Sequence, residues 1–201
     1  SVKAVFLMQT NQKIQLTKAE VVSVAEKMRA EGRLLVMIHG HLEADGTPVT
    51  PLRPSNVGFN HPWSDPMKER FAGYPLKAIA VSHGSTTVRG EAIIADYGIE
   101  GGSLYALSAS IRDAIDQKGH TQIEIDLRPD QSLAELTDKL ARPHAKESLS
   151  NFLRKTARLD PVGLCLMRET GPLPLDPSAL AQRIKSTRLT LTGSQGLEHA
   201  I

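Results

Sequence analysis

Three glycines fall within five residues at Gly98, Gly101 and Gly102, behind a run that reads as a strand and ahead of one that reads as a helix. Glycine density of this kind frees the backbone for φ > 0, and a helix start leaves its first amides without intrahelical partners. Together these suit a polar or anionic ligand. Read by themselves, the glycines favour the plainer use, a strand-to-helix turn. Carboxylates stand close by: Glu91 opens the preceding strand, and Asp96-Tyr97 ends it. A carboxylate there could orient an amine or exchange a proton.

The remaining reactive types are scattered. His39 and His41 sit at i and i+2, facing one side if the segment is a strand. A zinc site needs three or four ligands, and no further His or Cys cluster accompanies them, so no metal site is expected. Arg53, Asn56, His61 and Trp63 share a proline-rich irregular stretch, a composition that serves a ligand wall or a turn equally well. His83 reads as a solvated histidine in a hairpin turn. Arg142, His144, Lys146, Arg154, Lys155 and Arg158 make one stretch basic, but Glu147 and Asp160 intervene and no stacking aromatics are interleaved. This reads as a solvated helix face, with nucleic acid an unlikely partner. Cys165, the single cysteine, excludes an internal disulfide and sits in an apolar helical setting that favours packing over reactivity. No Ser-His-Asp arrangement and no P-loop is evident.

The elements that must position these groups follow from periodicity and caps. Ala4–Met8, a helix capped by Thr17 and Glu20, and Leu34–Ile38 suggest a βαβ-like unit over residues 1–41. Leu42–Thr50 is a turn-rich joint, and Val49–Phe59 reads as an edge strand because Pro51 and Pro54 interrupt it. A short helix from His61–Pro66 to about Gly73 comes next. Leu76–Val81 and Thr86–Ala95 form a hairpin, Leu104–Gln117 one amphipathic helix, and Thr121–Leu127 a strand. Ser132 with Glu135, then Asp160-Pro161 and Asp176-Pro177, mark helix starts, and Leu149–Ala157 adds another helix. Arg188–Thr192 closes as a strand. The expected class is α+β: a small β-barrel-like or curled mixed sheet with a compact cluster of short helices. The expected division is 1–41, a β-rich part of 42–130 with 187–201, and a helical part of 131–186.

The chain has 201 residues, 40% hydrophobic and 4% aromatic, with a net charge of +2. That suffices for a core and is too little charge to argue nucleic-acid binding. No signal peptide and no bilayer-length apolar run is evident, so a cytoplasmic location and no membrane partner are expected.

Several stretches, in order, resemble the inserted segment of the aminoacetone-oxidase-like (BaiN-type) NAD(P)/FAD-dependent flavoproteins. They are Thr50–Phe59, Glu69–Lys77, Gly98–Gly101, Tyr105–Ala109, Arg112–Ile115, Ile125–Asp130 and Ser148–Asn151. The resemblance runs from about Leu42 to Ile201. It implies an insert combining a small barrel with a helical part. It also implies that Gly90-Glu91 and the loop Gly98, Ile99, Glu100, Gly101, Gly102 face a flavin pocket. Arg53, Asn56, Glu91 and Tyr97 become candidates for substrate contact. Many members carry threonine where this chain has Ala95, which weakens a hydroxyl contact there.

The family binds FAD through a Rossmann-type domain opening with G-x-G-x-x-G, and this sequence has no such fingerprint. The resemblance therefore implies the substrate-side insert of an oxidoreductase. FAD would be held by the parent protein's Rossmann domain, its partner beside a small-molecule substrate. The chain alone is expected to bind no flavin tightly and to be inactive. The alternatives are a stand-alone small-molecule or protein-binding module without catalysis, and a basic-surface interaction protein.

Overall fold

A computed structural model of the chain describes residues 53–142 and 147–196. The expected segment over 1–41, the joint at 42–50, the pair His39 and His41, and His144 and Lys146 lie outside the described residues. From Pro54 onward the chain forms one compact unit, Pro54–Ile201, and Arg53 falls on the other side of that division.

The strands are β1 (Phe59–Asn60), β2 (Pro75–His83), β3 (Thr86–Ala95), β4 (Gly98–Glu100), β5 (Thr121–Asp126), β6 (Thr187–Leu191) and β7 (Gly193–Ser194). They make one seven-stranded sheet ordered β6-β5-β2-β3-β4-β1-β7. Every neighbouring pair among the described strands is antiparallel. The α+β class and the curl are as expected. Of the expected strand Val49–Phe59, only Phe59 has strand structure among the described residues, because pairing begins where Phe59 meets Ile99 and Ser194.

Two devices bend the sheet toward a barrel. The β2–β3 register shifts between Leu76 and Ile79, and Ala78 takes φ 53 there; such a bulge kinks a strand and strengthens its twist. At the far ends, β6 runs through Thr192 directly into β7, so the two outermost strands are consecutive in the chain. The ladder does not close, but the Thr192 N–H donates to the Asn60 carbonyl (3.1 Å) and the Gln195 N–H to that of Gly58 (2.9 Å). His61 Nδ1 lies 2.7 Å from the Thr190 carbonyl, and the Gln195 amide donates to the Asn60 side chain.

Period-two alternation fills the interior. Leu76, Ile79 and Val81 of β2, Ile123 and Ile125 of β5, and Leu189 and Leu191 of β6 are buried with Phe59, Ile94 and Ile99. The helix α1 (Asp65–Phe71) adds Met67 and Phe71 to this core. The single helix expected over Leu104–Gln117 is two pieces, α2 (Gly102–Tyr105) and α3 (Ser108–Lys118). The Ser108 hydroxyl donates to the Leu104 carbonyl (3.1 Å), the acceptor a continuous helix would offer to the Ser108 N–H. The apolar face still holds, with Leu104, Leu107 and Ile111 buried.

The second layer is α4 (Leu133–Leu140), α5 (Leu149–Thr156), α6 (Pro161–Glu169) and α7 (Pro177–Lys185). Each starts on a side-chain cap. Ser132 and Glu135 form a reciprocal capping box, Ser148 caps Asn151, Asp160 caps Gly163 and Asp176 caps Ala179. Polar ties dock these helices on β5, on the loop after it and on the start of α1. Lys185 Nζ meets Asp126 at 2.6 Å and donates to the carbonyls of Arg128 and Gln131. The Ser64 N–H and hydroxyl both donate to Glu169 (2.9 and 2.6 Å).

Candidate functional site

The glycine loop is a packing device along most of its length. A β-carbon on Gly98 would stand 2.0 Å from the Phe59 carbonyl oxygen and 2.6 Å from the His61 nitrogen, both backbone atoms of β1 and the residues beyond it. Gly101 takes φ 110, and its β-carbon would meet the Ala92 Cα at 3.0 Å. Both glycines are buried, against the expectation that they line a solvent-accessible surface, and only Gly102 is exposed, with open space around it. Ile99 is fully buried in the core. Positive φ at Gly101 is as expected, and it serves the turn into α2.

One polar pair stands on this loop. Tyr97 donates its phenolic O–H to Glu100 Oε2 at 2.6 Å. The Tyr97 ring covers Gly58, where a β-carbon would fall 2.3 Å from the phenolic oxygen. Burial, then the hydrogen bond and charge of Glu100, push the Tyr97 phenol far up, and burial followed by Glu100 raises Tyr105 as well. Tyr97 is therefore a protonated donor near neutral pH and no phenolate base. Glu100 is half-buried and can accept a hydrogen bond or face a cation. Ser103, buried at the start of α2, donates to the Glu91 carbonyl (2.7 Å) and fixes the backbone where Glu91 turns its exposed side.

The fold thus gathers Glu91, Tyr97, Gly98, Ile99, Glu100, Gly101 and Gly102 around the β3–β4–α2 turn. Asn56 is half-buried in the irregular segment before Gly58, and Arg53 is exposed on the other side of the unit division. His61 and Trp63 are structural. The Trp63 indole donates to the carbonyls of Ala95 (3.0 Å) and Gly98 (2.8 Å), with the His61 ring edge-on at 4.3 Å. His83, expected as a solvated loop histidine, instead bridges Ser110 Oγ and Thr121 Oγ1, each at 2.9 Å, and burial lowers its pKa. Cys165 is half-buried and its thiol is pushed up by burial, which disfavours the thiolate. Ser103 and Tyr105 belong to the same turn but were not among the candidate site residues. Their position just after the glycines was the available signal.

The turn makes a poor dinucleotide cradle. Strand backbone already occupies the space beside Gly98 and Gly101 that a pyrophosphate would need, and α2 is only a four-residue helix. Among the described residues no group of histidines, cysteines and carboxylates could hold a metal, and no helix is long and apolar enough to cross a membrane.

A curled antiparallel sheet with a docked cluster of capped helices defines a domain of barrel-plus-helix type. Residues 53–201 match the family model described as the HI0933-like protein barrel and H2TH domain, and the chain belongs to this HI0933-like flavoprotein family. No curated protein matches the chain significantly.

Proposed function

We propose that the chain serves as the substrate-side insert of an NAD(P)/FAD-dependent oxidoreductase of the aminoacetone-oxidase-like branch. The observation that carries this reading is the family match over residues 53–201. The filled glycine turn supports it, because a turn whose glycines pack against strand backbone has no room to cradle the flavin pyrophosphate itself.

FAD bound to a partner Rossmann-type domain supplies the redox chemistry. This chain's own part is to close over that site, exclude water and present polar groups to a small substrate. Gly102, exposed at the tip of the turn, gives close backbone approach. The Tyr97–Glu100 pair gives an acceptor held in place by a phenol that does not ionise, and Glu91 and Asn56 are further polar groups offered for substrate contact.

The test is reconstitution. The chain is mixed with, or fused to, an FAD-loaded Rossmann-type domain from this family, and NAD(P)H oxidation is followed with and without it. The chain alone should take up no stoichiometric flavin, and its addition should raise substrate-dependent turnover. Flavin copurifying at one per chain, or turnover indifferent to the chain, would overturn the reading.

A further inference from the structure

The turn between α5 and α6 carries an open groove of about 520 Å3, lined by Asn151, Arg154, Lys155, Arg158, Asp160 and their apolar neighbours. Asn151, Arg154 and Lys155 recur at i, i+3 and i+4 on one face of α5, and Arg158 follows just past its end. Lys155 meets Glu147 at 2.8 Å on the rim. Arg154 and Arg158 are exposed and have no ion-pair partner among the described residues. Asp160, the one carboxylate in the lining, already accepts the Gly163 N–H at 2.8 Å.

The backbone of this turn adds a second observation. Arg158 has φ 52, a left-handed conformation just past the end of α5 where glycine is the usual residue. The turn is held from both sides. The Arg128 Nε–H donates to the Ala157 carbonyl at 2.6 Å, and the buried Leu159 returns its N–H to Leu153. A long cation is thus kept at a position that disfavours any β-carbon, in a turn fixed by its neighbours. The lining contains no aromatic side chain, so it offers charge and guanidinium geometry but no platform for stacking a base.

We propose that this groove binds a phosphoryl anion, the phosphate or diphosphate group of a small ligand, through Arg154, Lys155 and Arg158. The inference does not depend on the flavoprotein reading, since it concerns the helical layer and stands on its own charges and backbone.

The experiment is an amide-resolved NMR titration of the full 201-residue chain with inorganic pyrophosphate, and separately with inorganic phosphate. Shifts should concentrate on residues 151–161 and saturate at roughly millimolar ligand, with pyrophosphate tighter than phosphate if a diphosphate is the natural group. Arg158→Gly relaxes the left-handed turn, so the protein should stay folded, while affinity should fall about tenfold or more. Arg154→Gln should also weaken binding, and Arg142→Gln, an exposed cation outside the lining, should not.

Equal affinity in Arg158→Gly would overturn the proposal, as would shifts spread evenly over exposed lysines and arginines. A single-stranded oligonucleotide binding the same face about a hundredfold more tightly, with steep salt dependence, would also overturn it, in favour of a nucleic-acid surface.

Discussion

The β3–β4–α2 turn and the α5–α6 turn reverse what their compositions suggest. The first is rich in glycine, the residue of ligand cradles, yet Gly98 and Gly101 are consumed by strand packing. The second has no glycine at its left-handed position and places Arg158 there instead. Glycine in the first turn answers to a steric demand from the chain itself. Arginine in the second answers to nothing in the backbone, which would prefer its absence. A residue that opposes its local backbone is the stronger pointer to a ligand than one that obeys it.

The largest effect that can break this comparison is at Gly98. Gly98→Ala forces a methyl into the Phe59 carbonyl and the His61 nitrogen, so we expect a loss of about 3 kcal/mol or outright failure to fold, read by denaturant melts. A near-wild-type midpoint would return this glycine to the ligand column.

Asp160 sharpens the other side. Asp160→Ala removes the α6 cap and should lower stability by about 1 kcal/mol. Asp160→Asn keeps a capping oxygen and should leave stability nearly unchanged. Both remove a negative charge from the groove, so both should tighten pyrophosphate, and a weakening in the Asn variant would count against the phosphoryl site.

A smaller effect separates the sheet from the helices by pH. Unfolded histidine titrates near about 6.5, and folded His83 titrates lower because burial disfavours its charge. The unfolded chain therefore binds more protons as pH falls below that value, and stability should decline there. Equilibrium unfolding at neutral and mildly acid pH should show the slope, and His83→Gln should flatten it.

The smallest effect is at Gly102. With nothing within 4 Å of an added β-carbon and helical geometry already in place, Gly102→Ala should be neutral or stabilise slightly, within about 1 kcal/mol. Its readout is turnover in the reconstituted flavoprotein, where a methyl at the exposed tip should raise KM more than it alters melting.

Legibility followed the range of the interactions. The starts at Ser132, Asp160 and Asp176 were readable because a cap and the amide it satisfies lie three residues apart. The β2–β3 hairpin and β5 were readable from alternation. The break between α2 and α3 was not, since Ser108 competing for the Leu104 carbonyl leaves the apolar periodicity intact. His83 was misread because Ser110 and Thr121 reach it from distant parts of the chain. At the glycine turn the residues alone favoured a plain strand-to-helix turn, and only the resemblance added a flavin-facing loop. The packing that fills the turn was out of reach of local reading, because the atoms beside Gly98 belong to a strand almost 40 residues earlier. The basic stripe on α5 was visible as charge, but the groove depends on the left-handed turn at Arg158, which no propensity for arginine would suggest.

The passage of the chain through Thr192 has a bearing on how the protein is made. One short segment, residues 187–194, supplies both outermost strands of the sheet, pairing with β5 on one side and β1 on the other. During synthesis, everything before Thr187 emerges first with both flanks unprotected, and such open edges invite pairing with other chains. The sheet can finish only once residues 187–194 have left the ribosome. Stalled nascent chains ending before Thr187 should be cut readily by protease, and chains extended past Gln195 and clear of the exit tunnel should resist.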